Sequence, residues 1–180
     1  NNQDGITNQT VSGASLLTHH YESDFALLKL EETPPEEYYI YFSGWDATVN
    51  NPFNCTTIHH PVGDIKKISQ HTGVAISDGW FFDDETHWKI NEWSSGITEP
   101  GSYGAPLFNE NKQIVGQLHG GESTCDDPVD DYFGKLSHSW LLGLKEYLDP
   151  NNTGITELDG IGVINSPDPE IAYSNDEFNI

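Results

Sequence analysis

The feature that most constrains this chain is the rhythm of its apolar runs, which are short and broken by turn residues every few positions. Strand-like runs fall at Asp24–Leu30, Tyr38–Trp45, Cys55–His60, Lys66–Thr72, Gly73–Ser77, His87–Ser94, Ala105–Phe108 and Ile114–His119. The run at Asp24–Leu30 reads as a short buried strand, and the loop of Phe108–Ile114 reads as a hairpin. Residues 1–20 are polar, with a weak apolar pattern near Val11 and Leu16–Leu17. Many short strands at close intervals, with 17 glycines and 10 prolines as punctuation, predict an all-β sandwich or barrel. One stretch departs from the pattern. Over Ser139–Leu148, residues Trp140, Leu141, Leu144, Tyr147 and Leu148 repeat at helical spacing, and Asp149-Pro150 stops them. That predicts a C-terminal helix packed on the β-domain, its stripe belonging to the core and not to a cofactor site.

The 180 residues suit one domain. From Asn165 the chain loses apolar content, and Ser166-Pro167-Asp168-Pro169-Glu170 has a linker's composition. The expected division is one folded unit over residues 1–164 and an acidic tail over 165–180. The chain opens on Asn1 and contains no Met, which reads as a processed or excised piece.

Charge narrows the partners. The formal net charge is −22, from 29 acidic and 7 basic residues. Such a surface repels phosphate, so nucleic acid and anionic membrane surfaces are excluded as partners. Apolar runs fall far short of a membrane span. A solvated acidic exterior and attraction of a basic peptide or protein remain.

Cys55 and Cys125 stand 70 positions apart. A disulfide between them would stabilise the fold by about 4 kcal/mol and would imply an oxidising compartment. That pairing is the expectation; two free thiols, or bridges to cysteines outside this chain, are its alternatives. Neither Asp83-Asp84-Glu85 nor Asp126-Asp127 has the spacing of a calcium loop, and His59-His60 has no partner pattern. No metal and no cofactor are expected.

Two segments carry chemistry. Gly101-Ser102-Tyr103-Gly104-Ala105-Pro106 forms a glycine-flanked turn that presents a side chain and converges backbone N–H groups, as an oxyanion hole requires. Ser23-Asp24-Phe25-Ala26-Leu27-Leu28-Lys29-Leu30 places one carboxylate at the start of an apolar strand. A buried, oriented carboxylate is what a catalytic histidine needs behind it.

Together these segments resemble the trypsin-like serine proteases. Six further matches point to the lysyl endopeptidases, a branch of secreted bacterial enzymes. They are Ser43-Gly44-Trp45-Asp46, Ile58-His59-His60-Pro61, Gly96 to Ser102, Gly116-Gln117-Leu118-His119-Gly120-Gly121, Asp131-Tyr132-Phe133-Gly134 and Leu148-Asp149-Pro150. The resemblance covers roughly residues 10–160. It implies a double β-barrel whose second barrel is complete and whose first is partial. It also implies Asp24 as the triad aspartate and the N–H groups of Gly101 and Tyr103 as the oxyanion hole. His119, Gly120 and Gly121 would form the strand that pairs with substrate backbone. Asp131 would be the floor of a lysine-accepting pocket, and Trp80 an aromatic beside the substrate.

The sequence departs from this family twice. Tyr103 occupies the nucleophile position, where a phenol reaches far beyond a serine oxygen. Ser102 is one residue off, so its side chain is expected to point away. The family's catalytic histidine lies farther ahead of the aspartate than the 23 residues preceding Asp24 allow. His19 and His20 belong to the strand leading into Asp24. The expectation is a secreted or surface, bacterial, catalytically inactive relative. It would bind lysine-bearing peptides, and a complementary N-terminal segment or chain would complete its first barrel. An inactivated or nicked endopeptidase with its histidine elsewhere, and a structural spacer, are the alternatives.

Overall fold

A computed structural model describes residues 7–80 and 85–162. The chain starts as a hairpin, β1 (Ala14–His20) and β2 (Phe25–Leu30), paired antiparallel with Ala14 opposite Leu30 and His20 opposite Phe25. It continues through β3 (Tyr41–Phe42), β4 (Gly44–Asp46), β5 (Thr56–His59), β6 (Lys67–Gln70), β7 (Ile76–Asp78) and β8 (His87–Glu92). Then come β9 (Pro106–Phe108), β10 (Gln113–Gly121) and β11 (Val129–Lys135). A helical segment follows: α1 (Leu136–Ser139), a π-helical turn (Trp140–Leu144) and α2 (Lys145–Leu148). Two short strands, β12 (Glu157–Leu158) and β13 (Ile161–Gly162), end the described chain.

The principal sheet runs β6-β5-β9-β10-β11-β8-β7, with β4 joining β10 and β12 joining β4. It wraps around one core of Cys55, Ala75, Trp88, Ile90, Trp93, Ala105, Leu107, Val115, Leu118 and Phe133. The curl is stitched by a bridge between Gln70 and Ser95 instead of a continuous ladder. The result is a strongly curled sheet that closes around its core without a continuous ladder. The β1–β2 hairpin stands apart as a separate two-stranded sheet. A smaller core of Phe25, Ala47, Leu136, Trp140 and Leu144 ties that hairpin to the helix. Gly143, at φ +118, makes the π-turn possible, since an L side chain is strained there.

Several expectations change. The expected buried strand at Asp24–Leu30 buries only Phe25, and Ala26, Leu28, Lys29 and Leu30 are exposed, because among the described residues no layer covers that face. Tyr38–Trp45 is not one strand. A 3₁₀ turn over Glu36–Tyr38 ends with Tyr39 in the left-handed region, and two short strands follow. The helix begins three residues earlier than its spacing suggested. The Cys55–Cys125 bridge is not formed. Cys55 is sealed in the core, where burial pushes its thiol up to about 12, and Cys125 lies exposed on the β10–β11 loop. The hairpin at Phe108–Ile114 is present as the β9–β10 turn. The proposed boundary at residue 164, the tail, and Asp83-Asp84 lie outside the described residues.

Candidate active-site remnant

The turn between β8 and β9 is held from beneath. Ser102 is buried, and its hydroxyl lies 2.8 Å from His59 Nδ1. His59 Nε2 lies 3.1 Å from Ser69 Oγ, which donates its own proton to the Ile97 carbonyl at 2.7 Å. That order fixes the tautomer: His59 donates from Nε2 and accepts the Ser102 proton at Nδ1. Burial lowers the His59 pKa, against the pull of Asp131 and Glu99, so the ring is neutral at pH 7. Ser102 therefore points inward, as its position one residue from the nucleophile site implied.

Alternate N–H groups of the loop are occupied. Ser102 N donates to the Glu99 carbonyl at 3.1 Å, and Gly104 N to the Leu118 carbonyl at 2.8 Å. Among the described residues the N–H groups of Gly101 and Tyr103 have no acceptor within the chain. Gly101 sits at φ +97, and a Cβ there would come 3.3 Å from Val62 N. Tyr103 is 61% exposed and lines the mouth of a cavity of about 50 Å³.

The floor of that cavity is Asp131, 1% exposed. Its Oδ2 accepts from Trp93 Nε1 at 2.6 Å and Thr98 Oγ1 at 2.8 Å, and it lies 2.7 Å from Ser123 Oγ. Its Oδ1 has only the Ser123 N–H, at 3.3 Å. One oxygen is saturated by the fold, and the other keeps most of its capacity. Among the described residues no basic side chain pairs with Asp131. Gly121 is required beside it, because a Cβ there would fall 1.9 Å from Oδ1. Gly120 is required equally, since its Cβ would fall 2.3 Å from the Trp80 ring.

Asp24 sits at φ +48 with its carboxylate 49% exposed, not buried as expected, because nothing among the described residues covers it. Its place is nevertheless fixed. Ser23 Oγ lies 2.9 Å from Ser139 Oγ, and the Ser23 carbonyl accepts from Gln117 Nε2 at 2.6 Å. Gly134 allows that approach, since a Cβ there would lie 1.8 Å from the Ser23 oxygen.

His119 Nε2 lies 3.8 Å from Asp24 Oδ2. Its Nδ1 is 2.9 Å from His87 Nε2, and His87 Nδ1 is 2.7 Å from Thr86 Oγ1. The carboxylate selects the proton order in which Thr86 donates to His87, His87 to His119, and His119 Nε2–H faces Asp24. Burial, then the neighbouring His119, His138 and Lys135, lowers His87 to about 4. Burial also lowers His119, with Asp24 opposing. Trp80 meets His119 edge-on at 4.7 Å and stacks on Tyr132 at 5.4 Å.

The structure brings Tyr103, Gly120, Gly121 and Asp131 together around one cavity, and Asp24, His119 and Trp80 into one cluster. The sequence reading passed over Trp93, Thr98 and Ser123, which hold Asp131, and His87, which holds His119. Thr98 lay inside a quoted motif, but its hydroxyl contact is non-local and leaves no mark on spacing. Among the described residues no three His, Cys, Asp or Glu side chains gather as a metal site. No described helix is long and apolar enough to cross a membrane.

A curled β-sheet carrying a glycine-framed loop, with a hairpin aspartate set against it, is the frame of a trypsin-like serine protease. The family of the lysyl endopeptidase C-terminal domain matches residues 1–134, and the chain belongs to that family. The lysyl endopeptidase of Pseudomonas aeruginosa is 36% identical over 142 residues, which is 72% of this chain and 30% of that protein. The chain therefore spans under a third of its relative's length. Among solved structures, the Rv3671c protease of M. tuberculosis in its active form superposes with a TM-score of 0.50 at 17% identity, covering 73% of this chain and 57% of that one. The scabies mite inactivated protease paralogue S-I1 has a TM-score of 0.47 at 15% identity, covering 78% and 68%.

Proposed function

We propose that this chain is a catalytically inactive lysyl-endopeptidase-like domain whose lysine-accepting pocket binds peptides or proteins through basic side chains. One observation carries the reading. Asp131 is a buried carboxylate whose Oδ1 is nearly free and opens on a cavity beside Tyr103. An uncompensated buried carboxylate selects a cation, because leaving it unpaired is costly. The same cavity carries a phenol in place of a serine hydroxyl. Secretion from a bacterial cell belongs to the same proposal, with family membership as its support. Calorimetric titration with short lysyl peptides tests the binding, and a lysyl ester assay tests the inactivity. Ester turnover that survives purification and vanishes in Tyr103→Phe would overturn inactivity.

A second reading has its own support. Leu16, Leu28 and Leu30 are exposed on the β1–β2 hairpin. That apolar face favours a complementary segment or chain completing the first barrel, which could also bring a histidine to Asp24. Intact-mass analysis of native material tests it: a companion fragment supports a nicked endopeptidase, and a single species counts against it. The spacer role has no comparable observation behind it.

A further inference from the structure

The phenol of Tyr103 is exposed at the rim of the Asp131 cavity, and within the 101–104 turn its N–H and that of Gly101 are the two with no acceptor among the described residues. We infer that the site is a reader of C-terminal lysine: the α-carboxylate of a chain that ends there lies against the N–H groups of Gly101 and Tyr103, and the side-chain ammonium meets Asp131 Oδ1. The inference rests on the lysine-pocket reading above and narrows its ligand.

Three observations lead to it. The two N–H groups alternate with paired ones, so the loop cannot turn to satisfy them. Ser102 is bonded to His59 below, while Gly104 N and Leu118 N are bonded across to Leu118 O and Ala105 O. Two unpaired donors in one short loop with Gly101 and Gly104 at positive φ suit an anion, and a carboxylate makes stronger hydrogen bonds there than a neutral carbonyl.

The second observation is the place of the ring. A side chain at the nucleophile position reaches toward the scissile carbon and the segment that would leave. A serine oxygen fits there beside a continuing chain. Tyr103 lines the cavity with most of its side chain exposed, so in this pose its ring takes the space that the residue after the lysine would need and leaves a terminus unobstructed.

The third is charge. Glu99 lines the same cavity, and the whole chain carries −22. A bare anion is repelled, so the ligand must bring its own cation. A C-terminal lysine presents both charges at once, one to each end of the cavity.

The test uses four labelled peptides of one sequence, read by fluorescence anisotropy. They end in lysine with a free carboxylate, end in lysine as an amide, carry lysine internally, or end in norleucine with a free carboxylate. The native protein is expected to bind the lysine acid at least about tenfold more tightly than the amide or the internal lysine, and to ignore norleucine. Tyr103→Ala keeps the N–H, removes the ring, and is expected to bring the internal-lysine peptide to within about threefold of the acid. Near-UV circular dichroism checks that the variant is folded. Equal binding of acid, amide and internal lysine by the native protein overturns the terminus reading and leaves the lysine pocket standing. Undiminished discrimination in folded Tyr103→Ala overturns the role of the ring. If norleucine binds as well as lysine, or no lysine peptide binds, the pocket itself is wrong and this inference falls with it.

Discussion

His87 makes the stability of this domain depend on pH in a way that can be isolated. The ring is fully buried, lies between Thr86 and His119, and has its pKa lowered from 6.5 to about 4, with burial as the leading cause. In the unfolded chain it regains an ordinary value near 6.5. A histidine depressed by folding binds more protons when unfolded, so its contribution is fully present above pH 6.5 and is lost as pH falls toward 4. The full loss is about 3 kcal/mol, of which about 1 kcal/mol falls between pH 7.5 and 5.5, where carboxylates remain ionised. His59 and His119 are lowered in the same direction and steepen the slope. The perturbation is therefore His87→Gln, which fills similar space without titrating. Urea unfolding at the two pH values gives the slope for each protein. The native slope is expected to exceed that of His87→Gln by about 1 kcal/mol. An unchanged slope, or a His87 ring that titrates near 6.5 by NMR in the folded protein, would falsify the buried-relay argument.

Other outcomes follow from single contacts. One thiol, Cys125, is expected to react with Ellman's reagent in the native protein, and Cys55 only after unfolding; two fast thiols would show that the core around Cys55 opens. Gly121→Ala puts a methyl group into Asp131 Oδ1, so lysyl peptide binding measured by calorimetry should vanish, while Gly162→Ala, whose Cβ would meet only Tyr41 at an ordinary 3.6 Å, leaves it intact. Ser102→Ala removes the donor to buried His59 and should cost about 1–3 kcal/mol by urea unfolding. Tyr103→Ser alone should give no lysyl-ester turnover, because His59 is locked beneath the loop and His119 is engaged by His87 and Asp24; measurable turnover would mean one of these rings can serve as base.

What the sequence disclosed, and what it withheld, follows the range of the interactions. Strands with local alternation, such as His87–Glu92, and the Phe108–Ile114 hairpin were legible because neighbours in sequence decide them. β1 was read as weakly patterned polar chain, since its partner β2 leaves both faces of the hairpin largely exposed and no burial imprints a period. β11 hid inside an acidic run: Asp130 and Asp131 look like solvated surface, yet one pairs with Lys89 and the other is sealed against Trp93. Tyr103, Gly101, Gly120, Gly121 and Asp131 were found through motifs. The groups that orient His59, His119 and Asp131, namely Ser69, Thr86, His87, Thr98 and Ser123, act through side-chain hydrogen bonds that no spacing rule encodes. The disulfide failed for a related reason. Two cysteines in one chain say nothing about whether their Cβ atoms approach, and Cys55 faces the core while Cys125 faces water.

The two halves of the site differ in how much of them this chain supplies. Every group holding Asp131 comes from the second barrel: Trp93 just beyond β8, Thr98 from the loop ahead of the nucleophile turn, and Ser123 just beyond β10. The hydrophobic core beneath them is contiguous, with Trp93 and Phe133 edge to face at 6.1 Å. That half needs nothing further to stay in place. Asp24 is different. The preceding Ser23 is anchored to Ser139 and Gln117, but the Asp24 carboxylate is half exposed beside a strand most of whose apolar residues are also exposed. Apart from His119 at 3.8 Å, that carboxylate keeps an open front over a neighbour anchored from behind. On the proposed reading, recognition and catalysis are separable in this architecture: the side chains that hold Asp131 are Trp93, Thr98 and Ser123, and Tyr103 is not one of them.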